Sequence, residues 1–213
     1  MSIKVDYINH MGDELTVVNS ARVSFAGSSQ TLEEKDKKLI KYLADHEHMS
    51  PFEHLVLTVK IKVPLYIRSQ IMRHRTFSYN EISRRYTDKN LEFYLPKALR
   101  KQHKNNRQAS AEDLDILDNG FIKLEIEDFH FDCLQFYNKL IKSGVCREQA
   151  RGVLPQNLMT EFYMTGNLRN WAHFIKLREH EGAQKEVQEV ADGVKKILLD
   201  KFKFAAETLF NKE

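Results

Sequence analysis

Apolar positions along the chain switch between two periods. From His54 to Val63, Leu55, Leu57, Val59, Ile61 and Val63 alternate with Val56, Thr58, Lys60 and Lys62, a period of two that predicts a half-buried strand. Earlier, Leu39, Ile40, Leu43 and Ala44 recur at helical intervals behind Thr31-Leu32-Glu33-Glu34, which has capping-box spacing, so an amphipathic helix is expected over 31–45. Residues 3–8 read as a short strand, and 12–24 as a helix bringing Arg22 and Ser24 to its end. Pro64 suits the first position of another helix, running to about Arg73 and placing Gln70 and Arg73 on one face.

In the second half, Ile122, Ile126, Phe129, Cys133, Phe136 and Leu140 keep a helical stripe from Leu117 to the stop at Ser143-Gly144, which puts Cys133 in an apolar seam. Residues 97–113 are polar, lack an apolar period and read as a surface connection without assigned chemistry. A strand is expected over 158–165, a short helix after Gly166-Asn167 up to about Arg178, and a last helix over 184–210. That helix carries Val187, Val190, Val194, Ile197 and Leu198 at the right intervals, with Gly193 costing about 1 kcal/mol against alanine. Long helices with a few non-adjacent strands give an α+β class: a single domain over 1–213 with a central, mostly antiparallel sheet flanked by long helices.

Composition narrows the function. In 213 residues, 42% hydrophobic, one substantial core is attainable, and 33 Lys+Arg against 30 Asp+Glu leave a formal charge of only +3. That lacks the excess usual in nucleic-acid binders, so an anionic partner must be held locally. Two cysteines, Cys133 and Cys146, without CxxC spacing or a secretory leader, predict a reducing compartment, most simply the cytoplasm. No apolar run approaches the roughly 18–20 residues that span a bilayer.

The local anion site is sought in residues 73–85, which hold four Arg, one His, one Glu, one Asn and two Ser with few positions to bury. Arginine forks, hydroxyls and loop N–H groups together can hold a phosphate monoester. A solvated charged loop, or a phosphate patch for nucleic acid, is the competing use of the same residues. His46, His48 and His54 with Glu53 offer metal-type ligands, but Pro51 breaks any helical face among them and no metal is expected. Arg178 would emerge from a helix face carrying Trp171, Phe174 and Ile175 and therefore needs a partner, for which Glu179 and Glu181 are the nearest in sequence.

Residue identity adds a resemblance. Arg73-His74-Arg75, followed by Ser78, Asn80, Ser83 and Arg85, resembles the extended Arg-His-Arg-x7-Ser signature of flavin-dependent thymidylate synthases. His48-x-Ser50-Pro51-Phe52-Glu53-His54, Arg151-x-Val153-Leu154-Pro155, and Asn167-x-Arg169 followed by Leu177-Arg178 resemble further blocks in the family's order, from about Ala21 to Gln184. The resemblance implies a homotetramer with shared sites, binding FAD and converting dUMP to dTMP with methylene-tetrahydrofolate and NADPH. NADPH would reduce the flavin, and the reduced flavin would deliver a hydride during methylation of the ring. No cysteine nucleophile is implied, and Cys133 and Cys146 are expected to be structural.

Carried over by position, Gln70, Arg73, Glu81, Ser83, Arg84, Arg85 and Arg178 would line the dUMP site, with Arg151 reaching the phosphate from a neighbouring subunit. Ser50, Glu53, Arg73, His74, Arg75, Thr76, Asn167, Arg169 and His173 would meet FAD, and His48 would lie near the entrance to the flavin ring. Arg178 is the implied catalytic residue, stabilising negative charge on the pyrimidine as N3 ionises. The chain departs from the pattern at Gly182, where many members carry His, and His180 stands two positions early. Ser50 replaces a frequent Thr, and His173 stands where some members have Asn; both keep a hydrogen-bonding group.

Overall fold

A computed structural model describes residues 2–211. The alternating segment forms β2 (Val56–Pro64), at the centre of the fold, between β1 (Lys4–Met11) and β6 (Met159–Asn167). A fourth strand, β3 (Ser78–Glu81), closes the order β1-β2-β6-β3, and every neighbouring pair is antiparallel. Leu57, Val59, Ile61 and Val63 are fully buried, as the period of two requires, while Thr58, Lys60 and Lys62 on the opposite face stay half-buried. Thr58 and Thr165, directly opposed on β2 and β6, join their hydroxyls at 2.9 Å.

The helices are α1 (Glu14–Arg22), α2 (Glu34–Asp45), α3 (Leu65–Ile71), α4 (Ile116–Lys142), α5 (Arg147–Ala150), α6 (Leu168–Arg178), α7 (Lys185–Lys201) and α8 (Lys203–Phe210). Trp171 and Phe174 of α6, Ile67 and Ile71 of α3, and Val187, Val190, Val194 and Leu198 of α7 share one core with the apolar positions of β2 and with Phe162 and Met164 of β6. The α+β reading and the antiparallel sheet hold.

Several local expectations are corrected. Helix α2 is capped by Glu33 and Asp36, not Thr31 and Glu34, because the fully buried Asp36 is held by Arg22 at 2.6 Å and accepts from the Glu33 amide at 2.8 Å. Helix α3 stops at Ile71, so Arg73 lies in the turn beyond it and does not share a helical face with Gln70. The 73–85 segment is not loop throughout, since β3 adds an edge strand to β6. The 97–113 segment folds into a hairpin of β4 (Arg100–Gln102) and β5 (Ser110–Asp113). Arg100 leaves that hairpin to make bonds of 2.9 and 2.8 Å to the two carboxylate oxygens of the buried Glu186.

The last helix divides at Phe202, whose fully buried ring enters the core with a backbone of φ −134°, ψ 51°. Gly193 serves close approach: a Cβ there would sit 2.9 Å from a Val5 methyl on β1. The stripe on α4 is not core, since Phe129 and Phe136 remain 57% and 50% exposed and only His130 and Tyr137 of that helix are buried. Among the described residues, no helix is long and apolar enough to cross a membrane.

Candidate active site

Strand β3 and the start of β6 form one wall of a cleft of about 490 Å³, and α3 and the 151–158 turn form the other. Glu81, Ser83, Arg84 and Arg151 line it together, as does Arg68. Arg151 therefore shares a cleft with Glu81, Ser83 and Arg84 of its own chain, where the resemblance put it across a subunit boundary. Arg68 was not singled out from the sequence. Its Nε donates to Glu81 Oε1 at 3.1 Å, and the Thr160 hydroxyl donates to the same oxygen at 2.6 Å. Three arginines against one carboxylate leave the cleft cationic, which suits a phosphate dianion.

Within this cleft Arg84 is largely committed to the fold. Its terminal nitrogens donate to the carbonyls of Lys89, Asn90 and Met159 at 2.6, 3.2 and 3.4 Å, while its buried Nε has no partner. Burial lowers the pKa of this guanidinium, so an acceptor brought to Nε by a ligand would offset part of the cost of keeping the cation there. Arg85 stands outside the cleft lining, 3.7 Å from Glu148 and with its guanidinium carbon 5.7 Å from the Tyr86 ring centre.

Gln70, Arg73 and Arg178 gather elsewhere, at the C-terminal ends of α3 and α6. Arg178 turns away from the two acids next to it: Glu179 pairs with Lys195 at 2.6 Å. Its Nε donates to His74 Nε2 at 2.9 Å and its terminal nitrogen to the Gln70 carbonyl at 2.9 Å. The Gln70 amide meets Gln184 Oε1 at 2.6 Å. Burial lowers the pKa of Arg178 as well.

His74 points inward, 9% exposed, with its ring centre 4.8 Å from that of Phe174. Burial, then Arg178, then His173, push its pKa down to about 4. The native ring is thus neutral where an unfolded chain would titrate near 6.5, so the unfolded state binds more protons between about pH 6.5 and pH 4. The contribution of His74 to stability is complete above that window and drains as pH falls through it. Urea midpoints should therefore drop from pH 7 to pH 4.5, and drop less in His74→Leu. Equal pH slopes in the two proteins would contradict this.

The expected flavin residues divide similarly. Among the described residues, the side chains of Ser50, Arg73, Arg75 and Thr76 have no partner within the chain, and all four residues are exposed. Arg169 pairs with Glu53 at 2.5 Å, and the Thr76 carbonyl accepts from Asn170, a residue missed in the sequence, at 3.1 Å. Asn167 caps α6 by accepting from the Asn170 amide at 2.9 Å. His173 is exposed, its ring centre 6.2 Å from that of His74, and it lines with Arg169 a second cleft of about 600 Å³ beside α8. His48 is exposed near Tyr42, and Gly182 donates its amide to His180 Nδ1 at 3.0 Å. No group of three or more His, Cys, Asp or Glu among the described residues is placed to hold a metal ion. Cys133, half-buried on α4 with its thiol pKa raised by burial and by Asp132, and the exposed Cys146 lie outside both clefts.

A sequence model of one family, described as thymidylate synthase complementing protein, matches residues 6–202. The chain is 43% identical over 202 residues to a flavin-dependent thymidylate synthase of Kosmotoga olearia, covering 94% of this chain and 87% of that one. The chain belongs to the flavin-dependent thymidylate synthase family. A Thermus thermophilus relative of the same name is 42% identical over 201 residues, covering 94% of this chain and 73% of its own. Among solved structures, a UMP/dUMP methylase, PolB from Streptomyces cacaoi, bound with 5-Br dUMP, superposes with a TM-score of 0.88 at 31% identity, covering 97% of this chain and 94% of that one. The resemblance carried by residues 73–85 thus extends across nearly the whole chain.

Proposed function

We infer that this protein is a flavin-dependent thymidylate synthase that methylates dUMP to dTMP, using FAD, methylene-tetrahydrofolate as carbon donor and NADPH as reductant, in the cytoplasm. The observation that carries the reading is the cationic cleft of Arg68, Arg84 and Arg151 with Glu81 and Ser83, in a chain of this family. The nucleotide phosphate belongs in that cleft, where the orphan Nε of Arg84 supplies a donor.

Gln70, Arg73 and Arg178 lie outside the cleft, so a second copy of the chain brings them to the nucleotide bound in the first. The exposed apolar residues of α4, with Ile116 at 90%, Leu117 at 86% and Phe121 at 65%, support assembly into a homotetramer. Ser50, Arg73, Arg75, Thr76 and the Glu53–Arg169 pair hold the flavin, with Asn167, His173 and His48 close by. Flavin, when bound, supplies the redox chemistry. The protein contributes orientation and charge: Arg178 sits against the pyrimidine and stabilises the negative charge that develops as N3 loses its proton and C5 becomes nucleophilic.

Purified protein should be yellow or become so with FAD, and anaerobic NADPH should bleach it, faster with dUMP present. Adding methylene-tetrahydrofolate should then yield dTMP, and dUMP tritiated at C5 should release its label. Absence of both tritium release and dTMP would sink the reading. UMP belongs in the same assay, because the PolB structures include one bound with 5-Br UMP. Salt-sensitive binding of DNA or RNA without dUMP binding would favour the phosphate-patch alternative.

A further inference from the structure

Arg178 is held by two neutral acceptors, His74 Nε2 and the Gln70 carbonyl, each at 2.9 Å. Among the described residues it makes no ion pair with a carboxylate, and its sequence neighbour Glu179 is taken by Lys195. A guanidinium offers only donors and stays protonated, so the ring nitrogen it meets must carry a lone pair. The proton of a neutral His74 therefore sits on Nδ1. Among the described residues, the charged or titratable groups acting on the ring are Arg178 and His173 on α6. Arg73 and Arg75 flank His74 in the chain, and the Tyr79 hydroxyl, kept protonated by burial, donates to the His74 carbonyl at 2.8 Å. Phe174 and Phe77 close the remaining sides, with ring centres at 4.8 and 6.4 Å. A second proton on His74 would set two cations 2.9 Å apart on a side chain that is nine-tenths buried.

We propose that His74 is the positioning residue for Arg178, its neutral imidazole fixing the direction of the guanidinium while leaving the whole positive charge free for the pyrimidine. A carboxylate in the same place would orient Arg178 equally well but cancel the charge that the reaction uses. This assigns His74 a task distinct from touching flavin, and it rests on the role given to Arg178 above. The depressed pKa of His74 agrees with it, since the ring then stays an acceptor throughout the neutral range.

The test uses FAD-loaded enzyme and 5-fluoro-dUMP, whose N3 ionisation is read by ultraviolet difference spectra without NADPH or folate. Wild type should lower the apparent N3 pKa of the bound probe. His74→Gln, which keeps a neutral acceptor, should retain most of that shift. His74→Glu should abolish it and lower kcat on the order of a hundredfold, with KM for dUMP and Kd for FAD changed far less. If His74→Glu kept the shift and kcat, or if losses merely followed FAD occupancy, the proposal would be overturned. Imidazole 15N shifts of the nucleotide-free holoenzyme add an arm independent of substrate: a bare Nε2 with a protonated Nδ1 supports the assignment, and a protonated Nε2 refutes it. Failure of wild type to bind dUMP would strike the synthase reading instead, while the tautomer result stands on its own.

Discussion

Replacing Arg178 by alanine should lower kcat for dTMP formation by about 10²–10³, the loss seen when one preorganised charge-stabilising donor is removed. Both anchors of the guanidinium survive the change, because the Gln70 carbonyl is backbone and His74 is held by Phe174 and Phe77, so the fold should persist. Arg178→Lys should fall between the two: it keeps the charge but cannot reach the imidazole and the carbonyl with one planar fork. Tritium release from labelled dUMP measures the step directly, and circular dichroism checks the fold. Full activity in the alanine variant would remove Arg178 from the chemistry.

The largest stability effect is expected at Gly166, opposite Leu57 in the centre of the sheet. A Cβ there would lie 2.3 and 2.4 Å from two ring carbons of Phe77, and that ring is wedged against Trp171 with centres 4.5 Å apart. The ring cannot swing aside without opening the core, so Gly166→Ala should cost about 3 kcal/mol, at the upper end for overpacking. Phe77 also leads from the Arg73–Thr76 turn into β3, and its displacement should weaken dUMP binding too. Urea midpoints give the first quantity and nucleotide titration the second. Shortening the ring with Phe77→Leu in the same chain should recover part of the lost stability, and a fully additive double variant would argue against direct contact.

The two predictions differ in how far the sequence foresaw them. Arg178 was singled out because its motif matched and because a cation leaving an apolar helix face needs a partner, but Glu179 and Glu181 were the only partners that sequence distance could suggest. The actual partner, His74, is over a hundred residues away and reaches Arg178 only because α3 and α6 end side by side under the sheet. Gly166 was read as a boundary before a helix, and nothing in one dimension places it under Phe77. Similarly, Arg68 carries no motif, and its bond to Glu81 follows from how α3 and β3 meet.

The apolar stripe on α4 illustrates a different limit. Periodicity reports which face of a helix avoids water, not what covers it, so Phe129 and Phe136 looked like core and are exposed in the single chain. The break at Phe202 was likewise invisible, since α8 continues the helical apolar spacing and only the burial of one ring interrupts it.

By itself, the sequence determined the strand of alternating apolar residues, the main helices and the segment 73–85 that marks the family, because these depend on local periodicity and on residue identity at fixed spacing. Tertiary structure alone decided that part of 73–85 is an edge strand. It also decided that the candidate nucleotide residues fall into a cleft of Glu81, Ser83, Arg84 and Arg151 and a separate group of Gln70, Arg73 and Arg178, and that Arg178 answers to a neutral histidine. Those outcomes depend on which surfaces the packed sheet and helices bring together, and spacing along one chain does not contain that information.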